Sequence, residues 1–171
     1  MSFDQLPPFR DDGAINVVVE TSAGSRCKLK YEAASGAFAL GRILPEGFVF
    51  PFDFGFVPGT RAEDGDPVDI LLVAEAGTAP GCVVPARPIG ALTAEQSAKQ
   101  GRRVRNDRIL AVPLVSRQYA TLCRLRDMAP ALREQIAFFL TSYGVLDGKN
   151  LRITGQHGPN TAVKLIRQAL K

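Results

Sequence analysis

Short apolar segments separated by Gly, Pro and Asp dominate the first two thirds of the chain. Each segment has the length of a buried strand, and the turn-forming residues between them are typical of strand ends. The segments are Ile15–Val19, Ala37–Leu40, Phe48–Phe56, Ile70–Val73, Cys82–Ala86 and Ile109–Val115. In the third segment every second residue is Phe, which predicts one buried face of a regular strand.

Helical periodicity appears only near the C-terminus. Residues 127–144 place apolar side chains on one helical face, with Asp127 positioned to cap the start and Gly144 to end the helix. A last helix is predicted to open at Pro159, with apolar residues again on one face. Many strands followed by two helices predict one α+β domain over residues 1–171, built around a small barrel.

The composition is that of a folded protein without a membrane-spanning segment. Hydrophobic residues make up 46% of the chain and charged residues 22%, and no apolar run approaches the roughly 20 residues that a membrane-spanning helix needs. The N-terminal residues include acidic side chains and no apolar core, unlike a signal peptide. Three scattered cysteines and one histidine argue against a zinc site and favour the reducing cytoplasm.

The net charge of +4 is unevenly distributed. Residues 1–93 hold 7 basic and 12 acidic residues, whereas residues 94–171 hold 14 basic and 5 acidic ones. A basic half can contact nucleic acid or another polyanion, and it can equally be a solvated helical face.

Three carboxylates stand immediately before the apolar segment Ile70–Val73. They are Asp64, Asp66 and Asp69. Asp-Gly and Asp-Pro pairs are common in ordinary polar turns, but a third carboxylate at the start of a buried strand is costly unless something neutralises it. A shared hard cation such as Mg²⁺ would do so. A calcium-binding hand does not fit, because the sixth loop position is Asp69 and not Gly.

Basic side chains upstream could neutralise a phosphate substrate bound to such a metal. Lys28 and Lys30 point to the same side of an extended strand, and Arg26 and Arg42 lie in similar surroundings. Each of them alone is more often an ordinary solvated surface charge, and the set becomes informative only together with the acidic loop.

The stretch PFDFGFVPGTRAEDGDPVDILLV, residues 51–73, resembles the signature region of the soluble (family I) inorganic pyrophosphatases. The similarity extends to ETSAGSRCKLKYEAASG, RPIGAL, RILAVP and IAFFLTSYGVLDGK, and it covers most of residues 15–170. It implies a divergent bacterial-type member with an OB-like five-stranded β-barrel and two C-terminal helices. It also implies a cytoplasmic, hexameric enzyme that uses Mg²⁺ to hydrolyse pyrophosphate to two phosphates by a metal-activated water.

The resemblance also assigns roles by position. Asp64, Asp66 and Asp69 match metal-loop carboxylates, with Asp66 as the base toward the attacking water. Glu20 matches an outer metal-site carboxylate. The side chains that match phosphate ligands are Lys28, Arg42 and Tyr143.

Several positions depart from the family pattern. Lys30 stands where a Glu is usual, and it becomes a candidate substrate ligand. Phe50 and Phe54 replace tyrosines, and Gly144 replaces the Lys that follows the phosphate-binding Tyr.

The later metal loop, AEQSAKQGRRVRNDRILAVP, is longer and more basic than the family pattern. Glu95 stands for one metal-binding acid. Arg108 aligns with a family Lys that binds substrate, which puts Asn106 at the position of a metal-binding Asp. Asp107 can replace that acid only if the local backbone bulges, because adjacent strand residues face opposite sides.

These changes suggest a hypothesis about charge. Lys30 and the Arg-rich loop would supply part of the neutralisation that extra Mg²⁺ ions supply in relatives, so this enzyme would need less Mg²⁺. Two alternatives stay open: a relative that binds pyrophosphate or a nucleotide polyphosphate without efficient turnover, and an OB-type binder of single-stranded nucleic acid. The second is disfavoured because an acidic loop without metal repels phosphate.

Overall fold

A computed structural model describes residues 3–171, apart from the side chains of residues 4 and 99. Within these residues the strands are β1 Ile15–Thr21, β2 Cys27–Glu32, β3 Ala37–Ile43, β4 Asp53–Phe56, β5 Asp69–Leu72, β6 Val83–Ser97, β7 Arg103–Arg105, β8 Arg108–Pro113 and β9 Arg152–His157. The helices are α1 Pro130–Leu146 and α2 Pro159–Gln168. The predicted domain of residues 1–171 begins with Met1 and Ser2, which lie outside the described residues.

Five strands form a ring. They are hydrogen-bonded in the order β1, β4, β5, β8 and β6, and β6 pairs again with β1. Strands β5 and β8 are parallel, and the other pairs of the ring are antiparallel. Strands β7 and β9 extend the sheet from β6, and β2 and β3 form a separate hairpin. The ring and the two helices confirm the predicted α+β, OB-like class.

The prediction of one regular strand over Phe48–Phe56 was wrong. Only Asp53–Phe56 is a strand, and the preceding residues are irregular. The phenylalanines nevertheless pack in two different clusters. Phe52 and Phe54 belong to the core beneath α1, whereas Phe56 packs against Tyr31 with the two rings stacked 5.8 Å apart.

The predicted ends of α1 were also wrong. The helix begins at Pro130 after Ala129, which provides no side-chain cap, and Asp127 belongs to the preceding short 3₁₀ turn. The helix continues through Gly144 to Leu146. The second helix begins at Pro159 as predicted.

Two apolar cores lie on opposite faces of the sheet, because side chains alternate along a strand. In β5, Leu71 packs beneath α1, while Ile70 and Leu72 pack with the residues of α2. The first core includes Tyr143 and thereby holds α1 against the sheet at the edge where β5 begins. Among the described residues, neither helix has the length and apolar character needed to cross a membrane.

Candidate active site

A polar pocket opens where β1 ends and where β5 and β8 begin. Its charged and amide residues come from these strands, from the loops that precede β5 and β8, from β2, from β6 and from the segment that follows α1. They are Glu20, Lys28, Lys30, Asp64, Asp66, Asp69, Gln96, Asn106, Arg108, Asp147 and Lys149. The aromatic residues of its wall are Tyr143, Phe50, Phe54 and Phe56. Most of the residues predicted to act together thus meet in one place.

The acidic loop is a tight turn that directs its carboxylates to the pocket. The Ala62 amide donates to the Asp66 carbonyl at 2.7 Å, and Gly65 adopts a left-handed conformation with φ +92° that glycine tolerates without strain. The Asp64 carboxylate accepts a hydrogen bond from the Asp66 amide at 3.2 Å. Asp69 then begins β5. The segment is therefore a tight turn and a cluster of carboxylates at the same time.

The carboxylates of the pocket are buried enough to repel one another. Burial, followed by the charge of Asp69, raises the pKa of Glu20 to about 7 against a hydrogen bond from the Tyr31 amide. Burial and the charges of Asp69 and Asp66 also raise the pKa of Asp64. Such groups favour a bound cation, which would remove the repulsion between them.

The donor set fits a hard divalent cation that keeps several water ligands. In the part of the chain that the structure describes, no three carboxylate, imidazole or thiol side chains converge closely enough to hold an ion alone. Mg²⁺ does not need such a cage, since one or two carboxylates, water and substrate phosphates complete its octahedron. Glu20, Asp64, Asp66 and Asp69 offer only oxygen ligands, as that ion requires.

Two of the loop carboxylates already have cationic partners. Lys30 Nζ lies 2.8 Å from Asp66 Oδ1, and Arg108 Nη1 lies 2.6 Å from Asp69 Oδ2. The second pair follows from the parallel register, which sets Asp69 directly beside Arg108. Arg108 is buried and also donates to the Asn106 side chain. Both cations therefore partly neutralise the acidic loop.

A chain of amide side chains links the loop to β6. Asn106 Nδ2 donates to Gln96 Oε1 at 2.7 Å, and Gln96 Nε2 lies 3.4 Å from Asp64 Oδ2. Asn106 and Gln96 are both buried. Sequence reasoning missed Gln96 because it placed the neighbouring Glu95 in the site, and adjacent strand residues face opposite sides.

The structure does not bring Glu95 and Asp107 to the pocket, so their prediction as metal ligands needs correction. Glu95 pairs with Arg103 and Arg152 on the opposite side of β6. Asp107 accepts a hydrogen bond from the Ala94 amide and pairs with Arg105 at 2.7 Å.

The reason is strand parity. The strand β8 continues the register of β5 without a bulge, so Asn106 and Arg108 face inward and Asp107 faces outward. Arg103 and Arg105 do not line the pocket either, and they pair with Glu95 and Asp107.

Tyr143 presents an unsatisfied hydroxyl within the site. Its Oη is buried and has no hydrogen-bond partner among the described residues. Lys28 Nζ lies over the ring, 5.0 Å from its centroid. Burial raises the pKa of Tyr143, which keeps the hydroxyl protonated and able to donate. A buried donor beside a cation suits a phosphate oxygen.

Arg42 is the predicted phosphate ligand that does not line the pocket. Its guanidinium pairs with Asp147 at 3.1 Å and also donates to the Leu146 carbonyl. Asp147 and Lys149 do line the pocket, and sequence reasoning assigned neither of them a role. The Gly144-to-Lys149 segment had a weak signal, because its glycines and lysine resemble an incomplete phosphate loop.

Phe50 and Phe54 are core residues at the pocket wall. Both are buried, and their rings meet edge to face at 5.5 Å. Phe50 also packs against Tyr143, and the Arg108 guanidinium lies 6.0 Å from the Phe54 centroid. Because phenylalanines stand where the family pattern has tyrosines, the wall beside the Tyr143 hydroxyl and the Arg108 guanidinium is apolar.

Known proteins are similar to this chain in sequence and in fold. The family model "Inorganic pyrophosphatase" matches residues 17–171. An inorganic pyrophosphatase of Nostoc sp. is 37% identical over 171 residues, covering 100% of this chain and 98% of the relative. One of Synechocystis sp. is 34% identical with the same coverage.

Solved structures agree. The inorganic pyrophosphatase of Thermus thermophilus superposes with a TM-score of 0.89 at 28% identity, covering 99% of this chain and 97% of that one. The inorganic pyrophosphatase of Neisseria gonorrhoeae superposes with a TM-score of 0.88 at 34% identity, covering 98% of this chain and 96% of that one. The matches in sequence and structure extend over nearly the whole chain, and the chain therefore belongs to the inorganic pyrophosphatase family.

Proposed function

We propose that this protein hydrolyses inorganic pyrophosphate to two phosphates with Mg²⁺. The observation that supports this most is a single pocket in which the carboxylates of Glu20, Asp64, Asp66 and Asp69 face the cations Lys28 and Arg108. The acids suit Mg²⁺, and the cations suit the charge of a diphosphate. A substrate that carries phosphate charge and binds through Mg²⁺ accounts for the acidic and the basic side chains together.

The proposed metal ligands are Glu20, Asp64, Asp66 and Asp69. Mg²⁺ bound there would lower the pKa of water and neutralise phosphate charge. In the reaction one phosphorus–oxygen bond forms to water, and the bridging phosphorus–oxygen bond breaks. Asp66 accepts the proton of the attacking water, while the Tyr143 hydroxyl donates to a phosphate oxygen.

Lys28, Lys30 and Arg108 are proposed to face the phosphate charge, and Arg42 is proposed to reach it from the rim of the pocket. Lys30 and Arg108 form ion pairs with Asp66 and Asp69. We propose that these two cations supply part of the charge neutralisation that additional Mg²⁺ would otherwise provide. Within the Arg-rich loop this role falls to Arg108, because Arg103 and Arg105 pair with acids outside the pocket.

The first experiment measures phosphate release from pyrophosphate by the purified protein across a Mg²⁺ titration. Asp66→Asn and Asp69→Asn are expected to lower kcat by roughly 10²-fold or more. Asp127→Asn, at an exposed site, is the matched control and is expected to keep full activity. Absence of turnover in the wild type, with Mg²⁺-dependent binding of pyrophosphate, would instead identify a binding protein that has lost the chemistry.

We also propose a cytoplasmic homo-oligomer, with a hexamer as the specific expectation. Three free, exposed cysteines, Cys27, Cys82 and Cys123, support a reducing compartment. Two exposed apolar side chains on α1, Phe138 and Val145, support self-association. Nucleic acid is a poor candidate partner because much of the Arg-rich loop is already paired with acids.

A further inference from the structure

A side chain at position 144 would require the backbone at Leu151 to shift. A Cβ atom on Gly144 would lie 2.6 Å from Leu151 Cβ and 2.8 Å from the Leu151 backbone nitrogen. Leu151 is itself buried in the core beneath α1. The close return of the chain over the helix end therefore disfavours the cation that the family pattern places directly after the phosphate-binding tyrosine.

The same close approach brings another cation to the pocket. The amides of Lys149 and Asn150 donate to the Gly144 carbonyl at 2.9 and 3.2 Å. The Lys149 carbonyl in turn accepts from the Ser97 amide of β6 at 2.5 Å. These bonds fix the backbone of the segment that follows α1, residues 147–151, which is called the exit segment below, on two sides. As a result the Lys149 side chain lines the pocket, 42% exposed.

The position of the Lys149 ammonium is restrained by a carboxylate. Its Nζ lies 3.4 Å from Asp147 Oδ2, and Asp147 is only 14% exposed and also holds Arg42. Lys149 and Tyr143 line the same pocket. The lysine therefore shares that pocket with the buried hydroxyl that lacks a partner among the described residues.

We propose that Lys149 binds a phosphate group of the substrate and replaces the cation that Gly144 cannot provide. The group recognised is a diphosphate oxygen that also accepts from the Tyr143 hydroxyl. This assignment rests on the proposed function, since it concerns the same pocket. It requires the returning exit segment, and hence a glycine at position 144.

The test measures binding separately from turnover. Methylenediphosphonate, a diphosphate that cannot be hydrolysed, is titrated calorimetrically in the presence of Mg²⁺. Lys149→Ala is expected to weaken its binding roughly tenfold or more, and Lys149→Arg to restore most of the affinity. Lys164→Ala, an exposed lysine of α2, is the matched control and is expected to bind as the wild type does.

Unchanged affinity in Lys149→Ala, with an unchanged melting temperature, would overturn the assignment. The backbone bonds of residue 149 do not involve its side chain, so this variant is expected to fold. If the wild type binds the analogue through Lys149 but releases no phosphate, the proposed hydrolysis fails and the inference stands. If the wild type hydrolyses pyrophosphate and Lys149→Ala binds and reacts normally, the inference fails and the hydrolysis stands.

Discussion

Lys30 Nζ lies 2.8 Å from Asp66 Oδ1, at a position where the family pattern has a glutamate. Both side chains are about half exposed, at 51% and 45%. Burial alone would lower the pKa of Lys30, but the hydrogen bond and the charge of Asp66 raise it overall. The lysine is therefore charged at neutral pH and is a built-in counter-ion for the acidic loop.

Lys30→Glu is expected to raise the number of Mg²⁺ ions needed for activity, seen as a steeper dependence of the rate on Mg²⁺ concentration, because an additional ion must then supply the charge that Lys30 supplies in the wild type. Lys30→Gln should fall between this variant and the wild type. Calorimetric Mg²⁺ titration without substrate checks the same point independently of turnover. Lys164→Glu changes charge equally at an exposed site and serves as the control. Identical Mg²⁺ profiles for Lys30→Glu and the wild type would refute the counter-ion role.

Removing metal should make stability depend on the ionisation of Glu20. The pKa of Glu20 is about 7 in the folded protein, above its ordinary value of 4.5. The unfolded chain therefore releases this proton at a lower pH than the folded protein does. Protonated Glu20 contributes its full stabilisation of the folded state below pH 4.5, and this contribution is lost as the pH rises through 7. At roughly 1.4 kcal/mol for each tenfold change in acidity, the free energy of unfolding in chelator should fall by up to about 3 kcal/mol.

Urea unfolding between pH 5 and pH 8 in chelator measures this dependence. Glu20→Gln should flatten it, since the amide does not titrate, and added Mg²⁺ should also flatten it by neutralising the carboxylate. Glu134→Gln, at an exposed position on α1, should leave the slope of the wild type intact. An equal slope in Glu20→Gln would assign the pH dependence to other groups.

Gly144→Ala tests the close approach of the exit segment to α1. Because the new Cβ would meet Leu151 at 2.6 Å, the variant is expected to lose about 1–3 kcal/mol of unfolding free energy. Gly41→Ala is the control, since a Cβ there meets only the Lys28 carbonyl, at 3.6 Å. Equal stability of the two variants would mean that the segment can move away from the helix without cost.

Self-association through α1 is expected to be sensitive to one exposed aromatic residue. Phe138 and Val145 are 69% and 64% exposed, and their spacing of two helical turns puts them on one face. Phe138→Glu should shift the sedimentation coefficient toward smaller species. Val115→Glu, at a residue that is 85% exposed, should not do so. A monomeric wild type would rule out the oligomer altogether.

The sequence by itself determined the acidic loop and the fold class. Strand lengths, turn residues and helical periodicity are local properties, and so is the spacing of Asp64, Asp66 and Asp69. The same local signals misplaced the ends of α1, because Gly144 is held within the helix by packing against Leu151, which the helix sequence does not contain.

Only the tertiary structure decided which residues of β6 and β8 enter the pocket. Glu95 and Asp107 are the acids nearest in sequence to the expected positions, but alternation turns them outward and turns Gln96 and Arg108 inward. The parallel register of β5 and β8 then sets Arg108 beside Asp69. Strand register is fixed by pairing and by the two cores on either face of the sheet, since a shift of one residue would expose a whole apolar face.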